Sequence, residues 1–270
     1  MNRLQYRAIF LSDIHLGTRD AKTEFLLDFL KHTDSEYLYL VGDIIDLWKV
    51  RSGWYWTPQM SEVVQLVRDK AKRGTRVMYI PGNHDEMLRD YTGSYVDGVH
   101  LAENAIHETA CGRRFLVTHG DEFDCIVTHN KWLAYIGSGT YDLLLRINHH
   151  YNYLRRKLGF RYWSLSAYLK QKVKNAVQYI GNFEKIVAME AERRQVDGLI
   201  CGHIHHAAMR NIDGYLYNNT GDWVESCTAL VENHDGNLQI LHWTEESALL
   251  LDEKEVYADC DHNGRLATTS

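Results

Sequence analysis

Proline is scarce in this sequence, which has two prolines in 270 residues. A Pro-rich linker therefore does not divide the chain. The length is sufficient to bury a sizeable core and allows one large domain or two smaller ones. Hydrophobic residues make up 45% and charged residues 24%, which is typical of a soluble globular protein. We find no internal repeat and predict a single domain over residues 1–270.

Cysteines are few and scattered, and the five that occur have no CxxC spacing. An odd number at such positions argues against a disulfide framework and for reduced thiols in the cytoplasm. The N-terminal stretch likewise lacks a long apolar run. Its apolar residues, Ala8 to Leu11, are too few for a signal peptide and far too few to span a bilayer. We therefore expect a cytoplasmic protein.

The chain has fewer positive than negative residues, with a net charge of −6, but the two signs are unevenly distributed along the sequence. Between Cys125 and Gln195 there are 12 Lys and Arg against four Asp and Glu, a local charge of +8 that leaves −14 for the remainder. This basic segment is also rich in aromatic residues, and its pattern is helical. We predict a helical, lid-like insertion over residues 125–195.

Short apolar runs alternate with amphipathic segments in the first 80 residues. They predict strands at Ala8–Leu11, Tyr37–Val41 and Arg76–Ile80, with helices at Thr23–Lys31 and from Thr57 to about Lys72. This alternation implies parallel strands with helices packed outside, an α/β arrangement. Further β structure is predicted for a hairpin over 105–118, a strand over 199–201 and antiparallel strands near 216–217, 227–232 and 238–243.

Residues with metal-ligand chemistry follow five of the apolar runs. The clusters are Asp13-Ile-His15, Gly42-Asp43, Gly82-Asn-His-Asp85, His119-Gly-Asp121 and Gly202-His-Ile-His205. Carboxylate, amide oxygen and neutral imidazole without thiolate suit a hard divalent cation. Each cluster alone is more often a turn or a solvated loop. Together they predict a metal centre in which Asp43 bridges two ions about 3.5–4 Å apart, with a bridging hydroxide for in-line attack on phosphorus.

The five clusters, in this order, resemble the calcineurin-like metallophosphoesterases, whose pattern is D-x-H, G-D, G-N-H-D/E, H-G and G-H-x-H. The resemblance implies an α/β fold (α+β in some schemes), a metallophosphoesterase β-sandwich flanked by helices with a helical insertion. It also implies a dinuclear enzyme with two divalent metal ions, Mn²⁺ first and Fe or Zn as alternatives. The ligands that it implies are Asp13, His15, Asp43 and His205 for one ion, and Asp43, Asn83, His119 and His203 for the other.

The same resemblance assigns two catalytic residues beside the metal ligands. His84 would donate a hydrogen bond or a proton at the reacting phosphate, and Asp85 would orient its ring. Asp46 and Trp48 are expected to support the loop that carries Asp43.

Within that superfamily the sequence looks most like the UDP-2,3-diacylglucosamine hydrolase branch. Three features carry this likeness: the run Gly42-Asp-Ile-Ile-Asp-Leu-Trp48, the insertion after His119-Gly-Asp121, and Thr220-Gly-Asp-Trp223. The likeness implies hydrolysis of the pyrophosphate bond of a nucleotide lipid. One departure concerns the residue after the metal-ligand Asn, which is Arg in that branch and His84 here. A phosphodiesterase or nuclease of the same superfamily is therefore the alternative.

The basic insertion is well placed to bind an anionic substrate. Its candidate substrate contacts are Ser164, Lys170, Lys172 and Lys174, and its apolar runs would meet acyl chains or a membrane surface in a peripheral contact. The plainer interpretation is that most of its aromatic residues are packing contacts and most of its lysines a solvated face. A nucleic-acid-binding module would use the segment to stack bases. That module would leave five metal clusters without a purpose, so we expect a phosphorylated substrate and no nucleic acid. A non-catalytic scaffold of the same fold would typically have lost a ligand, and none is lost.

Overall fold

The computed structural model describes residues 3–51, 53, 55–123 and 165–244, and for residues 50, 51 and 165–179 it describes the backbone alone. The chain forms two compact units. One combines Met1–Glu122 with Ala188–Ser270, and the other is Phe123–Val187. The lid-like role expected for residues 125–195 stays a prediction.

The described residues form twelve strands and three α-helices. The strands are β1 Leu4–Leu11, β2 Thr33–Val41, β3 Arg76–Ile80, β4 Tyr95–Val96, β5 Val99–Leu101, β6 Ala105–Glu108, β7 Arg114–Val117, β8 Gly198–Cys201, β9 Ala208–Ile212, β10 Tyr215–Asn219, β11 Thr228–Glu232 and β12 Leu238–His242. The helices are α1 Thr23–His32, α2 Pro58–Lys72 and α3 Leu165–Arg194. Helix α2 begins as predicted, because Thr57 caps it by accepting a hydrogen bond from the Met60 N–H. None of the described helices has the length and apolar character that a membrane crossing requires.

The strands form two sheets. The seven-stranded sheet has the order β12-β11-β1-β2-β3-β5-β4, and the five-stranded sheet has the order β6-β7-β8-β10-β9. Strands β1, β2, β3 and β5 pair in parallel with one another in the first sheet, and β7, β8 and β10 do so in the second. The outer pairs β1–β11, β4–β5, β6–β7 and β9–β10 are antiparallel. The parallel arrangement predicted for the N-terminal strands is confirmed.

Side chains alternate between two cores along the central strand β1. Ala8 and Phe10 pack between the two sheets, with Phe115 and Ile200 of the five-stranded sheet. Ile9 and Leu11 point to the opposite face, which α1 and α2 cover. The fold is therefore a β-sandwich flanked by helices, as the resemblance implied.

Two parts of the β prediction need correction. Strand β10 is antiparallel to β9 but parallel to β8, so it is not part of a purely antiparallel region. The sequence analysis also missed β9, β4 and β5. Strand β9 lies at the edge of its sheet, and the three residues Met209, Arg210 and Asn211 are exposed. An edge strand with so little buried surface has no clear hydrophobic pattern.

Candidate metal centre

The five predicted clusters follow the carboxyl ends of five strands. Asp13 follows β1, Asp43 follows β2, Asn83 follows β3, His119 follows β7 and His203 follows β8. The strands β1, β2 and β3 are parallel neighbours in one sheet, and β7 and β8 are parallel neighbours in the other. Because parallel strands end at the same edge, their polar loops meet there, the usual location of a site in an α/β fold.

Two groups of ligand-type side chains form at this edge. In each group one ligand atom per residue lies within 4.8 Å of the others, and the groups are Asp13, His15 and His205, and Asp43, His119 and His203. The two groups are linked because Asp43 Oδ2 also lies 3.9 Å from His15 Nε2. Asp43 is thus adjacent to both groups; the assignment of the ligands to two ions stays a prediction.

Each of the two carboxylates has one oxygen anchored and the other directed at an imidazole. Asp43 Oδ1 accepts a hydrogen bond from the His84 backbone N–H at 2.8 Å, and Asp43 Oδ2 lies 3.4 Å from His119 Nε2. Asp13 Oδ2 accepts hydrogen bonds from Ser12 Oγ at 2.5 Å and from the His203 N–H at 2.9 Å. Asp13 Oδ1 lies 3.2 Å from His205 Nε2. Two ligands of one small cation with bonds of about 2.1 Å have similar separations.

The ring of His119 is held in a defined orientation. Its Nδ1 lies 2.9 Å from the Val41 carbonyl oxygen, which can only accept, so Nδ1 carries the proton. Nε2 is then the nitrogen available to a cation, and it faces Asp43 Oδ2. A hydrogen bond from one ring nitrogen to a carbonyl is the usual way in which a protein orients a metal-binding histidine.

The centre also contains buried polar atoms that have no hydrogen-bond partner among the described residues, notably His15 Nε2 and Asn83 Oδ1. Leaving such atoms unpaired in a protein interior is costly. One is an imidazole nitrogen and the other an amide oxygen, and both are donor types that bind divalent cations such as Mn²⁺. The residues present therefore fit a divalent metal.

Electrostatics favour added positive charge at the centre. Burial alone would lower the pKa of the buried histidines, but Asp43 raises the pKa of His119 to about 10, and Asp13 raises that of His205 to about 9. Burial would likewise raise the pKa of both carboxyls, but His205 beside Asp13 and His119 beside Asp43 hold each pKa below its ordinary value. The ionised carboxylates thus stabilise positive charge on the imidazoles. The same negative charges would stabilise a bound metal cation.

The backbone at the centre has an unusual conformation. Five candidate ligands have left-handed φ angles, a region that non-glycine residues seldom adopt: Asp13 51°, His15 53°, Asp43 54°, His203 69° and His205 52°. Backbone hydrogen bonds hold two of these loops together, from Asp13 N–H to the Gly42 carbonyl at 3.0 Å and from His15 N–H to the Asp43 carbonyl at 2.9 Å. Each such residue costs roughly 1–3 kcal/mol, which the surrounding structure must offset.

Two glycines of the motifs are required because candidate ligand side chains pack directly against their backbone. A Cβ on Gly42, whose φ is +78°, would lie 2.2 Å from the His119 ring. A Cβ on Gly82 would lie 2.3 Å from Asp43 Oδ1. Any larger residue would displace a candidate ligand, so the glycines of Gly-Asp and Gly-Asn-His-Asp are there to let the loops pack together.

The structure corrects the role predicted for Asp85. Its buried carboxylate accepts hydrogen bonds from the backbone N–H groups of Ile44 at 2.9 Å and Gly82 at 2.6 Å, and from the Tyr79 hydroxyl at 2.5 Å. It therefore joins the two loops that carry Asp43 and Asn83. The described contacts do not include one between Asp85 and the His84 ring, because the backbone amides draw this carboxylate away from its sequence neighbour.

The carboxylate that lies beside the His84 ring is Asp46 and not Asp85. Its Oδ2 lies 3.1 Å from His84 Nδ1 and 3.6 Å from His15 Nδ1, so one carboxylate orients two imidazoles. These two imidazoles and Asp46 form a third group of ligand-type atoms. Burial would raise the pKa of Asp46, but the adjacent His15 and His84 rings hold it below its ordinary value. Trp48, 52% exposed, stacks on His84 with ring centroids 4.1 Å apart.

Comparison with known proteins agrees with this geometry. A family model described as calcineurin-like phosphoesterase matches residues 6–207. The chain belongs to this family. It is therefore a hydrolase that acts on phosphoester bonds, and the family uses divalent metals.

Several curated relatives of this phosphoesterase are named UDP-2,3-diacylglucosamine hydrolase. The protein from Haemophilus influenzae strain PittGG is 24% identical over 83% of this chain and 93% of its own length. That from Shigella dysenteriae serotype 1 is 25% identical over 76% of this chain and 84% of its own. Among solved structures, an archaeal phosphodiesterase is 12% identical, covers 87% of this chain and 98% of its own, and has a TM-score of 0.42.

The predicted substrate contacts of the phosphoesterase stay predictions. Ser164 lies outside the described residues, as do the side chains of Lys170, Lys172 and Lys174 on helix α3. The sequence analysis missed one contact beside the centre, in which Arg89 Nη2 donates to both oxygens of Asp121 at 2.8 and 2.7 Å. The 89–121 separation along the chain gave no signal for this pair.

The assignment of Asp46 as the orienting carboxylate predicts a moderate loss of function on substitution. Asp46→Asn should lower both phosphoesterase activity and the affinity for Mn²⁺ by roughly 10–100-fold, because an amide holds the His84 and His15 rings less firmly. Activity titrated against Mn²⁺ measures both effects. A matched exposed change, Asp20→Asn, should leave both values unchanged, and an unaltered Asp46→Asn enzyme would contradict the assignment.

Proposed function

We propose that this phosphoesterase hydrolyses the pyrophosphate bond of a nucleotide-linked diacylated sugar, of the UDP-2,3-diacylglucosamine class, with two divalent cations, Mn²⁺ being our first choice. The observation that carries the hydrolytic part is the convergence of carboxylate oxygens and imidazole nitrogens within 4.8 Å at one edge of the sandwich. The substrate class is supported by the names of relatives that match along three-quarters or more of the chain.

The proposed ligands are those that the resemblance implied. One ion would be held by Asp13, His15, Asp43 and His205, and the other by Asp43, Asn83, His119 and His203. When bound, divalent cations supply Lewis acidity that activates water at neutral pH and neutralises the charge that develops on phosphoryl oxygens.

His84 is the group that we assign to the reacting phosphate. Its Nε2 lies 3.9 Å from Asp43 Oδ2, so the ring borders the centre, while its Nδ1 is directed at Asp46. Burial lowers the pKa of His84, but the neighbouring carboxylates of Asp46 and Asp43 raise it above its ordinary value. The raised pKa favours the protonated form of the ring relative to a free imidazole. The ring can donate that proton, or a hydrogen bond, to an oxygen of the phosphoryl group or of the leaving group.

Recognition of the substrate is proposed to involve the basic segment. Ser164, Lys170, Lys172 and Lys174 would contact the anionic groups, and the apolar part of residues 125–195 would meet acyl chains at a membrane surface. The proposed location is the cytoplasm, with peripheral membrane contact. No nucleic-acid partner is part of the proposal.

A second candidate is a phosphodiesterase of the same family with a smaller substrate. His84 favours it, because the residue that follows Asn83 is the histidine general to the superfamily and not the arginine of the diacylglucosamine hydrolase branch. Hydrolysis of UDP-2,3-diacylglucosamine, a cyclic nucleotide and single-stranded DNA, measured side by side with Mn²⁺, distinguishes the candidates. Preference for the nucleotide lipid is the expected result, and preference for either other substrate would reject the proposed class.

The proposed role of the lysines predicts a selective kinetic change. Replacing Lys170, Lys172 and Lys174 by Ala should raise KM for UDP-2,3-diacylglucosamine roughly tenfold or more, since lost uniform binding appears in KM. A small chromogenic phosphodiester that reaches only the metal centre should show little change. Equal effects on the two substrates would reject the lid role, and a DNA affinity with strong salt dependence would favour a nuclease.

A further inference from the structure

A cavity lies behind the metal centre, between the seven-stranded sheet and helices α1 and α2. Its volume is about 270 Å³. Buried aliphatic residues form its floor, among them Leu11 and Leu40 from the sheet and Leu26 and Leu30 from α1. None of these four residues is a proposed metal ligand or substrate contact. The cavity belongs entirely to the unit that contains the metal centre.

The mouth of the cavity has a different character from its floor. Arg68 and Asp97 carry the charges among its lining residues, and they form an ion pair at 2.9 Å through Arg68 Nη2. Arg68 Nε is buried and has no hydrogen-bond partner in the described structure. Beside the mouth, the exposed side chains Tyr95 and Val96 add apolar surface. The opening thus combines the Arg68 Nε–H donor, which has no described partner, with an apolar surface beside it.

We propose that this cavity binds the hydrocarbon chain of a medium-chain fatty acid, with the carboxylate at Arg68. An apolar cavity of about 150 Å³ stays dry and takes up benzene, so one of 270 Å³ with aliphatic walls is more favourable for hydrocarbon than for water. The unpaired Arg68 Nε supplies a charge-assisted hydrogen bond to a carboxylate oxygen at the mouth. The charged groups of the lining, Arg68 and Asp97, lie together at the mouth, which matches a ligand with one polar end.

The dimensions set the expected chain length. If a methylene takes about the space of a water molecule in the liquid, roughly 30 Å³, the cavity holds about nine carbons. Each methylene buried should improve affinity roughly fourfold. Affinity should therefore rise from hexanoate to about decanoate and then level off, because further carbons remain in water.

A hydrocarbon chain bound in this cavity would also contact the loops that carry the candidate metal ligands. Ile14 lies between Asp13 and His15 in sequence, Ile44 follows Asp43, and both isoleucines line the cavity. A chain packed against them would stabilise the folded form by mass action and fix these loops in place. The inference does not depend on the identity of the hydrolysed substrate.

Direct binding to the full-length protein tests the proposal. Calorimetry with saturated fatty acids from six to fourteen carbons should give the fourfold steps and the plateau near ten. Methyl NMR should show shifts at Ile14 and Ile44 on addition of decanoate, with no shift at the exposed Ile106 of the other sheet. Absence of binding, absence of chain-length dependence, or shifts confined to other residues would each overturn the proposal.

Two pairs of variants locate the ligand. Val64→Trp fills the cavity from α2 and should remove decanoate binding, whereas Gln65→Trp on the exposed side of the same helix should not. Arg68→Leu should weaken decanoate more than decanol, and Lys72→Leu, also on α2, should affect neither. Unchanged binding in a folded Val64→Trp protein would place the ligand elsewhere. If that variant does not fold, the NMR shifts still decide between the two outcomes.

Discussion

Asp43→Asn is expected to lower kcat/KM for any phosphodiester substrate by at least about 10³-fold. The carboxylate faces both groups of ligands through one oxygen, Oδ2, so its loss weakens two metal sites at once. Loss of about 4 kcal/mol of charge stabilisation in the transition state corresponds to three orders of magnitude in rate. Metal content per chain, measured by plasma mass spectrometry, should fall in parallel.

The chain offers a closely matched control for this substitution. Asp213 has nearly the same left-handed conformation, φ 52° against 54° for Asp43, but it lies in the exposed turn between β9 and β10. Asn accepts this conformation readily, so neither variant should unfold. Asp213→Asn should retain full activity and metal content. An active Asp43→Asn enzyme would contradict the dinuclear arrangement.

His84→Ala should separate catalysis from metal binding. The ring is proposed to act on the phosphate and is not a proposed ligand, so metal content should persist while the rate falls by roughly 10²–10⁴-fold. Single-turnover rates and metal analysis on the same preparation measure the two quantities. His206→Ala, an exposed neighbour of the candidate ligand His205, is the matched control and should be neutral.

The metal content and the rate of His84→Ala together test which residue of Gly82-Asn-His-Asp85 is the metal ligand and which acts on the phosphate. Loss of metal in His84→Ala would show that the histidine is a ligand and that the roles of Asn83 and His84 are reversed. A substrate whose leaving group needs no protonation provides a further check. If His84 is a proton donor, such a substrate should lose much less rate in the variant.

The candidate ligands could be found from the sequence because of a simple regularity. Asp13, Asp43, Asn83, His119 and His203 each follow an apolar run, and the runs form parallel strands whose ends share an edge. The helices α1 and α2 were predictable for a similar reason, since each has a continuous apolar stripe and α2 has a strong capping signal. Edge strands such as β9 lack that signal because few of their residues are buried.

The orientation of side chains within the loops could not be read from the sequence. Asp85 is the neighbour of His84 along the chain, yet its carboxylate accepts hydrogen bonds from the backbone N–H groups of Ile44 and Gly82. Asp46 belongs to another loop and approaches the ring from there. Nearness in sequence predicts contact within a helix or a strand, but it does not do so in an irregular loop such as residues 82–85, where Asp85 has φ −119° and ψ 26°.

The left-handed residues have a consequence for anyone who wishes to transplant this centre. Asp13, His15, Asp43, His203 and His205 direct their side chains inward from a backbone conformation that most loops of a recipient scaffold do not have. Copying the five side chains onto ordinary strand ends would leave their ligand atoms pointing apart. A functional graft must therefore reproduce the loop dihedral angles together with the glycines that allow the loops to touch, and selection of recipient scaffolds should begin from the backbone.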